Sequence, residues 1–282
     1  MLALAGSLFA ANAKLDTSTP VGQAFARMYN FDFPGARAIL DRQIRSDPQD
    51  SMAYAVKAAA YLFAELHRLK VLEIEFFEDD DRVVDRHKLT PDPAVRTEFF
   101  RTVDAARQHA NARLAAHPGD RDALFTLCMA AGLVTDYAAL IERRRFGSFS
   151  LARQTQSHVH KLQLLKPPVY DAYLAAGTTE YVVGSLPFFF RWFVHIENIE
   201  GNKQKGIENL QLVAERGRYY PPFARILLAA IAVREKRLAD AQRLLTGIVE
   251  EYPENPLARK ELLRVKELMR HEAASGPTSP RR

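Results

Sequence analysis

The chain has one cysteine, Cys128, in 282 residues. An internal disulfide is therefore impossible, and no Cys-x-x-Cys metal or redox pair exists. Cys128 sits in the apolar run Ala123–Gly132, where it reads as a small buried hydrophobe with no base beside it. Glycine (13) and proline (15) are sparse and scattered, which argues against a disordered or low-complexity chain. Long Val/Ile/Thr runs are rare while Ala and Leu abound, which disfavours a sheet and favours helices. No His-Glu-x-x-His and no Gly-rich phosphate loop occurs. No run reaches the roughly 18 uninterrupted apolar residues of a spanning helix. Val182–Val194 comes nearest, and Pro187 and Arg191 interrupt it.

Charge of one sign is also lacking. The 39 basic residues face 34 acidic ones, mixed along the chain, for a net charge of +5. That balance describes a solvated surface and excludes a dedicated nucleic-acid binder.

The first residues, Met1 to Ala13, are apolar and end in Ala11-Asn12-Ala13. Small residues at the first and third of those positions fit a signal-peptidase site, although no Lys or Arg precedes the stretch. Two readings follow: a truncated signal peptide over residues 1–13, giving an exported, periplasmic protein that starts at Lys14, or an ordinary first helix of a cytoplasmic one.

Three segments end alike, at Pro48, Pro118 and Pro253. The first two prolines are 70 residues apart and the next two 135 apart, close to two and four units of about 34 residues. Twelve residues before each stands an alanine: Ala36, Ala106 and Ala241. Ten residues after Pro48, Pro118 and Pro167 come the small residues Ala58, Cys128 and Gly177, and six after them the large residues Tyr54, Leu124 and Tyr173. Small residues let two helices cross at about 8–9 Å, and large ones one turn away fill the wedge to the next pair. Each pair leaves an apolar face that only a neighbour can cover.

This register resembles the tetratricopeptide repeat family over residues 20–66, 95–134 and 168–255. Lys57 and Gln43 depart from it, standing where apolar or small residues are usual. The segment Tyr181–Pro187, Tyr-x-x-Gly-Ser-Leu-Pro, is similar to one in a bacterial group of such proteins. The resemblance implies an all-α, right-handed superhelical stack of antiparallel helix pairs. It also implies a protein- or peptide-binding scaffold rather than an enzyme, with no cofactor and no metal.

The expected organisation is a repeat domain over residues 14–271, with an irregular insertion at about 137–201 and a disordered tail at 272–282. Expected helices cover residues 20–30, 34–46, 51–77, 97–116, 121–145, 151–165, 169–181, 203–216, 222–235, 238–252 and 256–274. The block from Glu78 to Pro93 reads as an insertion.

Candidate chemistry is thin. His158 and His160 lie two apart on a helix and share no face. Glu75 and Glu78–Asp81 form an acidic cluster without the glycine of a calcium loop. Arg143, Arg144 and Arg145 with Phe146 and Phe149 are a basic-aromatic cluster, which also suits a helix C-terminus. Phe188, Phe189, Phe190, Trp192 and Phe193 cannot all face one way on a helix. Carried along the register, the concave face of the first helices takes Phe125, Met129, Leu174, Tyr181, Phe223 and Ile226. These are apolar, so the groove is expected to be filled from within, by Phe188–Phe193. Partner binding then moves to a rim near Arg143, Arg144, Arg145 and Arg191, with Trp192 of the filling segment also a candidate partner contact. A lipid or membrane-surface adaptor using residues 184–193 and the basic rim is the alternative.

Overall fold

The computed structural model describes residues 13–72, 89–142, 159–185 and 201–274. Among these every regular element is helical. Ten α-helices follow in order: α1 (Pro20–Tyr29), α2 (Phe33–Ser46), α3 (Ser51–Arg68), α4 (Pro93–Ala116), α5 (Arg121–Asp136), α6 (Tyr173–Ser185), α7 (Lys203–Arg216), α8 (Pro221–Arg234), α9 (Leu238–Glu251) and α10 (Pro256–Ala274). A π-helical turn, Tyr137–Ile141, continues α5. Residues 159–164 are also helical.

The helices pack as consecutive antiparallel pairs, α1/α2, α3/α4, α6/α7 and α8/α9, with α10 closing the last pair. This is the expected all-α stack, and its register is the one the prolines mark. Ala36, Ala106 and Ala241 have no exposed surface, and Ala58 and Cys128 are buried. At the α6/α7 crossing two glycines meet: a Cβ on Gly206 would lie 2.8 Å from the Gly177 carbonyl oxygen and 2.7 Å from the Tyr181 amide. No side chain larger than hydrogen fits there.

The corners after the prolines share one device. Two residues past each proline, Asp50, Asp120 and Asn255 accept the amides of Ala53 (3.0 Å), Ala123 (2.8 Å) and Ala258 (2.9 Å), capping α3, α5 and α10. In the first two corners the residue five before the proline holds the cap. Gln43 Nε2 donates to Asp50 (2.8 Å), and Arg113 Nε donates to Asp120 (2.5 Å). Burial alone would raise the Asp120 carboxyl, but the Ala123 amide and Arg113 keep it below the usual carboxylate range. The departure at Gln43 is thereby explained. So is Lys57, whose ammonium pairs with Asp41 at 2.6 Å.

The turns inside two pairs also repeat. Phe31 (φ 63°) and Lys236 (φ 57°) each stand seventeen residues before their proline in the left-handed region. In both, the next amide reaches back to the helix: Asp32 to the Arg27 carbonyl (2.9 Å), Arg237 to that of Ala232 (2.8 Å). These bonds satisfy carbonyls that would otherwise be left over at the helix end.

Four expected boundaries differ, one of them at residues 169–181, where a 3-10 turn at Tyr170–Ala172 precedes α6 and α6 runs over Tyr173–Ser185. The helix expected over residues 51–77 is interrupted after Arg68, with Lys70 at φ 57° and residues 71–72 helical again. The buried Glu65 carboxylate explains the break. It accepts from Arg68 (2.8 and 2.7 Å) and from the Asp92 amide (2.7 Å), while Arg68 also donates to the Thr90 carbonyl (2.8 Å). The returning chain is thus tied to the last turn of α3. Helix α4 starts at Pro93 rather than 97, because Asp92 caps it through Ala94 (2.8 Å) and Val95 (3.3 Å). Helix α5 gives way to the π turn at Tyr137 instead of running on unchanged.

Candidate interaction surface

The first helices of the pairs converge on a common interior. Phe25 of α1 stacks on Tyr219 (5.2 Å between centroids) and meets Tyr220 edge-on (5.7 Å). Phe125 of α5 meets the same two rings at 6.2 and 5.7 Å. Phe63 of α3 lies edge-on to Phe223 of α8 (5.7 Å). Each such pair adds about 0.5–1.5 kcal/mol beyond its burial. The concave side is therefore filled from within, and among the described residues Phe25, Tyr219 and Tyr220 do the filling.

Polar bonds close the same seam. Tyr29 Oη donates to the Tyr219 carbonyl (2.8 Å), and Asn255 Nδ2 donates to the Tyr29 carbonyl (2.8 Å). The Glu254 amide donates to Asn30 (3.1 Å), and the Ala13 amide to the Ala214 carbonyl (3.0 Å). Tyr29 also packs on Tyr252 (5.2 Å). Tyr252 in turn donates to Glu251 (2.8 Å), which pairs with the buried Arg225. The first helix is thus bonded to the last two pairs, and the superhelix closes on itself. An open depression of about 600 Å³ remains along the seam, lined by Ala26, Asn30, Phe31, Pro253, Glu254 and the Arg27–Asp32 ion pair.

The Tyr219–Tyr220 corner is held by Asp171, which is 4 % exposed and accepts the amides of Arg218 (2.8 Å), Tyr219 (2.9 Å) and Tyr220 (2.7 Å). Burial raises its carboxyl although the three amides pull the other way. Helix α8 has no side-chain cap of its own from Tyr220, and Asp171 satisfies the amides that lead into it.

Of the residues assigned to the concave face by register, Phe125, Met129, Tyr181 and Ile226 are buried, and Leu174 and Phe223 are half-buried. Arg143, Arg144, Arg145, Arg191 and Trp192 lie outside the described residues, as do Phe188–Phe193, the acidic cluster and His158. His160 is exposed. Among the described residues no group of three His, Cys, Asp or Glu side chains is placed to hold a metal ion. Cys128 is buried, and burial pushes its thiol up to about 12, which makes it a poor nucleophile.

Two residues were not singled out by the sequence. Asp171 gave no local signal, since its partners are more than forty residues away. Asp136 could have been found. Phe125, Met129, Gly132 and Asp136 follow helical spacing on one face of α5, so the apolar stripe ends in a carboxylate. Loss of bulk solvent pushes that carboxyl up to about 7, although the side chain keeps accessible surface.

Helix α5 with its π turn, Arg121–Ile141, is apolar and long enough to cross a membrane by composition, but two thirds of its most apolar stretch is buried within the stack. Packing accounts for that apolarity.

No family model matches the chain, and no curated protein does. Among solved structures, a thermophilic TPR protein of Thermus thermophilus is similar at 15 % identity, covering 87 % of this chain and 96 % of that one with a TM-score of 0.47. The paired helices, the buried alanine register and the repeated proline corners make this chain tetratricopeptide-like in its own right.

Proposed function

We propose that the protein is a non-catalytic scaffold that binds a protein partner outside its filled interior, on the rim and on the short concave stretch the aromatic rings leave open. Stacked helix pairs present extended surface, and folds of this type in general mediate protein–protein interaction. The observation that carries the proposal is the seam. With Phe25, Phe125, Tyr219 and Tyr220 in mutual contact, a peptide running the length of the groove would have to displace buried aromatic rings. Each ring left wet would cost roughly 1.5–3 kcal/mol.

The test compares two forms of the chain in capture from native lysate. Asn30 and Glu254 are replaced by cysteine and bridged with a short bis-maleimide; buried Cys128 does not compete. The bridged and unbridged forms are expected to retain the same specific protein. Loss of that protein on bridging would mean that the partner enters an opened groove. Failure of either form to retain any specific protein would overturn the scaffold reading.

Export belongs to the same proposal and rests on Ala11-Asn12-Ala13. Removal of residues 1–13 gives up the Ala13–Ala214 backbone bond but leaves the buried Leu15, the Asp16–Arg218 ion pair and the seam bonds of Tyr29, Asn30 and Asn255. Native protein is expected to begin at Lys14 on N-terminal sequencing, and a cytosolic product that retains residues 1–13 would contradict this.

A further inference from the structure

Arg225 of α8 is a full charge inside the last helix pair, 4 % exposed. Its guanidinium lies over Gly247 of α9, where an added Cβ would stand 3.9 Å from Nη1. One turn further along α9, Glu251 accepts from Arg225 Nη2 at 2.5 Å. That carboxylate is the one acidic partner of Arg225 among the described residues, and Nε is buried there without an acceptor. A buried pair so incompletely bonded is a poor source of stability, because taking both charges out of water costs about as much as their attraction returns. An apolar side chain would fill the same space without that cost. The pair is explained instead by what it positions.

The positioned group is Tyr252. Glu251 uses both carboxylate oxygens: Oε2 takes Arg225, and Oε1 takes the Tyr252 hydroxyl at 2.8 Å. Burial, and then the bond to Glu251, raise that hydroxyl above its ordinary range, so it remains a donor. The Tyr252 ring, itself buried, packs on Tyr29 of α1 at 5.2 Å. Tyr29 carries two of the bonds that close the superhelix, one from its hydroxyl to the Tyr219 carbonyl and one from Asn255 to its own carbonyl. Arg225 thus acts on α1 through Glu251 and Tyr252. Without the cation, Glu251, whose side chain is 32 % exposed, can turn to water. Tyr252 then keeps its place only with a buried hydroxyl unsatisfied, which sets the full desolvation cost of that group against the ring contact with Tyr29.

We infer that Arg225, Glu251 and Tyr252 form a latch that makes closure of the superhelix conditional on correct docking of α8 against α9. Arg225 is its positioning residue, and Tyr252 is the part that meets the first helix. The latch goes beyond the scaffold reading and holds whether or not a partner is found. It occupies one end of the last pair. Ala241, at the α8/α9 crossing, is ten residues from Glu251 along α9, so a change there leaves the latch alone.

The test places nitroxides on cysteines at positions 30 and 254 of the full chain, on the two sides of the seam, and reads the ratio of close to separated label pairs by pulsed dipolar spectroscopy. Buried Cys128 is not labelled. Labelling removes the Asn30–Glu254 bond in every form alike, so the ratios compare directly. The forms are the otherwise unchanged chain, Arg225→Met, Tyr252→Phe and the two combined. Arg225→Met keeps the aliphatic stem and removes the charge, while Tyr252→Phe keeps the ring and removes the hydroxyl. Each single change is expected to lower the closed-to-open ratio about tenfold, the worth of one buried hydrogen bond, with helix content unchanged by circular dichroism. The combination is expected to lower it no further than either change alone. The latch is overturned if Arg225→Met leaves the ratio unchanged, if Tyr252→Phe does so, or if the two losses multiply. Should Arg225→Met lose its helix content, Tyr252→Phe decides alone, because it leaves the Arg225–Glu251 pair in place: an unchanged ratio overturns the latch, and a tenfold fall supports it.

Discussion

The corners after Pro48 and Pro118 and the corner after Pro253 occupy the same register, yet they do different work. In the first two, the capping aspartate is held locally by the helix just before it, through Gln43 of α2 or Arg113 of α4. In the third, the position of Gln43 and Arg113 is taken by Ile248, which is fully buried and offers no hydrogen bond. Asn255 still caps α10, but its amide nitrogen reaches the Tyr29 carbonyl at the far end of the chain. The difference teaches how an open repeat stack becomes a closed one. The capping device is kept, and one exchange in the residue that would otherwise engage it frees a donor for a contact across the seam. An asparagine suits that exchange because its side chain both accepts and donates, whereas an ionised aspartate only accepts.

The largest effect is expected where the seam depends on a single buried group. Asp171→Ala leaves the amides of Arg218, Tyr219 and Tyr220 without their acceptor and should destabilise the fold by about 4 kcal/mol. Denaturant unfolding measures it, and a loss comparable to that of an ordinary surface change would mean that the corner is held by its aromatic rings alone. Asn255→Ala should cost about 2 kcal/mol, for the cap and the Tyr29 bond together, against about 1 kcal/mol for Asp50→Ala, which loses a cap with only a local link. Equal costs would erase the distinction between the corners. Ala241→Leu overpacks the α8/α9 crossing and should cost about 1–3 kcal/mol without acting on the seam. It should therefore add to Asn255→Ala independently, and strong coupling would show that crossing and seam are one unit.

The smallest effect is one of pH. The Asp136 carboxyl, ordinarily at 3.8, is raised to about 7 in the folded chain. A raised carboxylate penalises the fold in its charged form. The penalty is fully present above about 7 and is relieved as the pH falls toward 3.8. Water reaches the side chain, so the contribution stays below about 1 kcal/mol. Thermal unfolding of Asp136→Asn should accordingly gain slightly over wild type above neutrality, with the gain shrinking as the pH falls and gone below about 3.8. A gain that persists unchanged at acidic pH would place its origin elsewhere.

The legible parts of this fold were the local ones. Prolines end helices wherever they fall, and a crossing demands a small residue at fixed spacing, so Pro48, Pro118 and Pro253 with Ala36, Ala106 and Ala241 could be read in one dimension. The break at Lys70 was hidden because the Glu65 clamp that causes it closes on Thr90 and Asp92, across an insertion. Closure was hidden for the same reason on a larger scale. Tyr29 and Tyr219 are 190 residues apart, and Tyr29 and Asn255 226 apart, and no periodicity links them. The apolar concave stripe at Phe125 and Met129 did show that the groove needed filling, and its continuation to Asp136 was readable from helical spacing. What fills it was not, because Phe25 belongs to a helix that the register treats as an ordinary first repeat.

Closure of the superhelix is the claim on which the rest depends, and a spin-label measurement tests it most directly. Nitroxides on cysteines at positions 30 and 254 of the full chain flank the bond between Asn30 and the Glu254 amide. The account predicts dipolar broadening in the doubly labelled chain that is absent from either singly labelled one and that disappears on unfolding. A doubly labelled folded chain whose spectrum is the sum of the two single ones would contradict it.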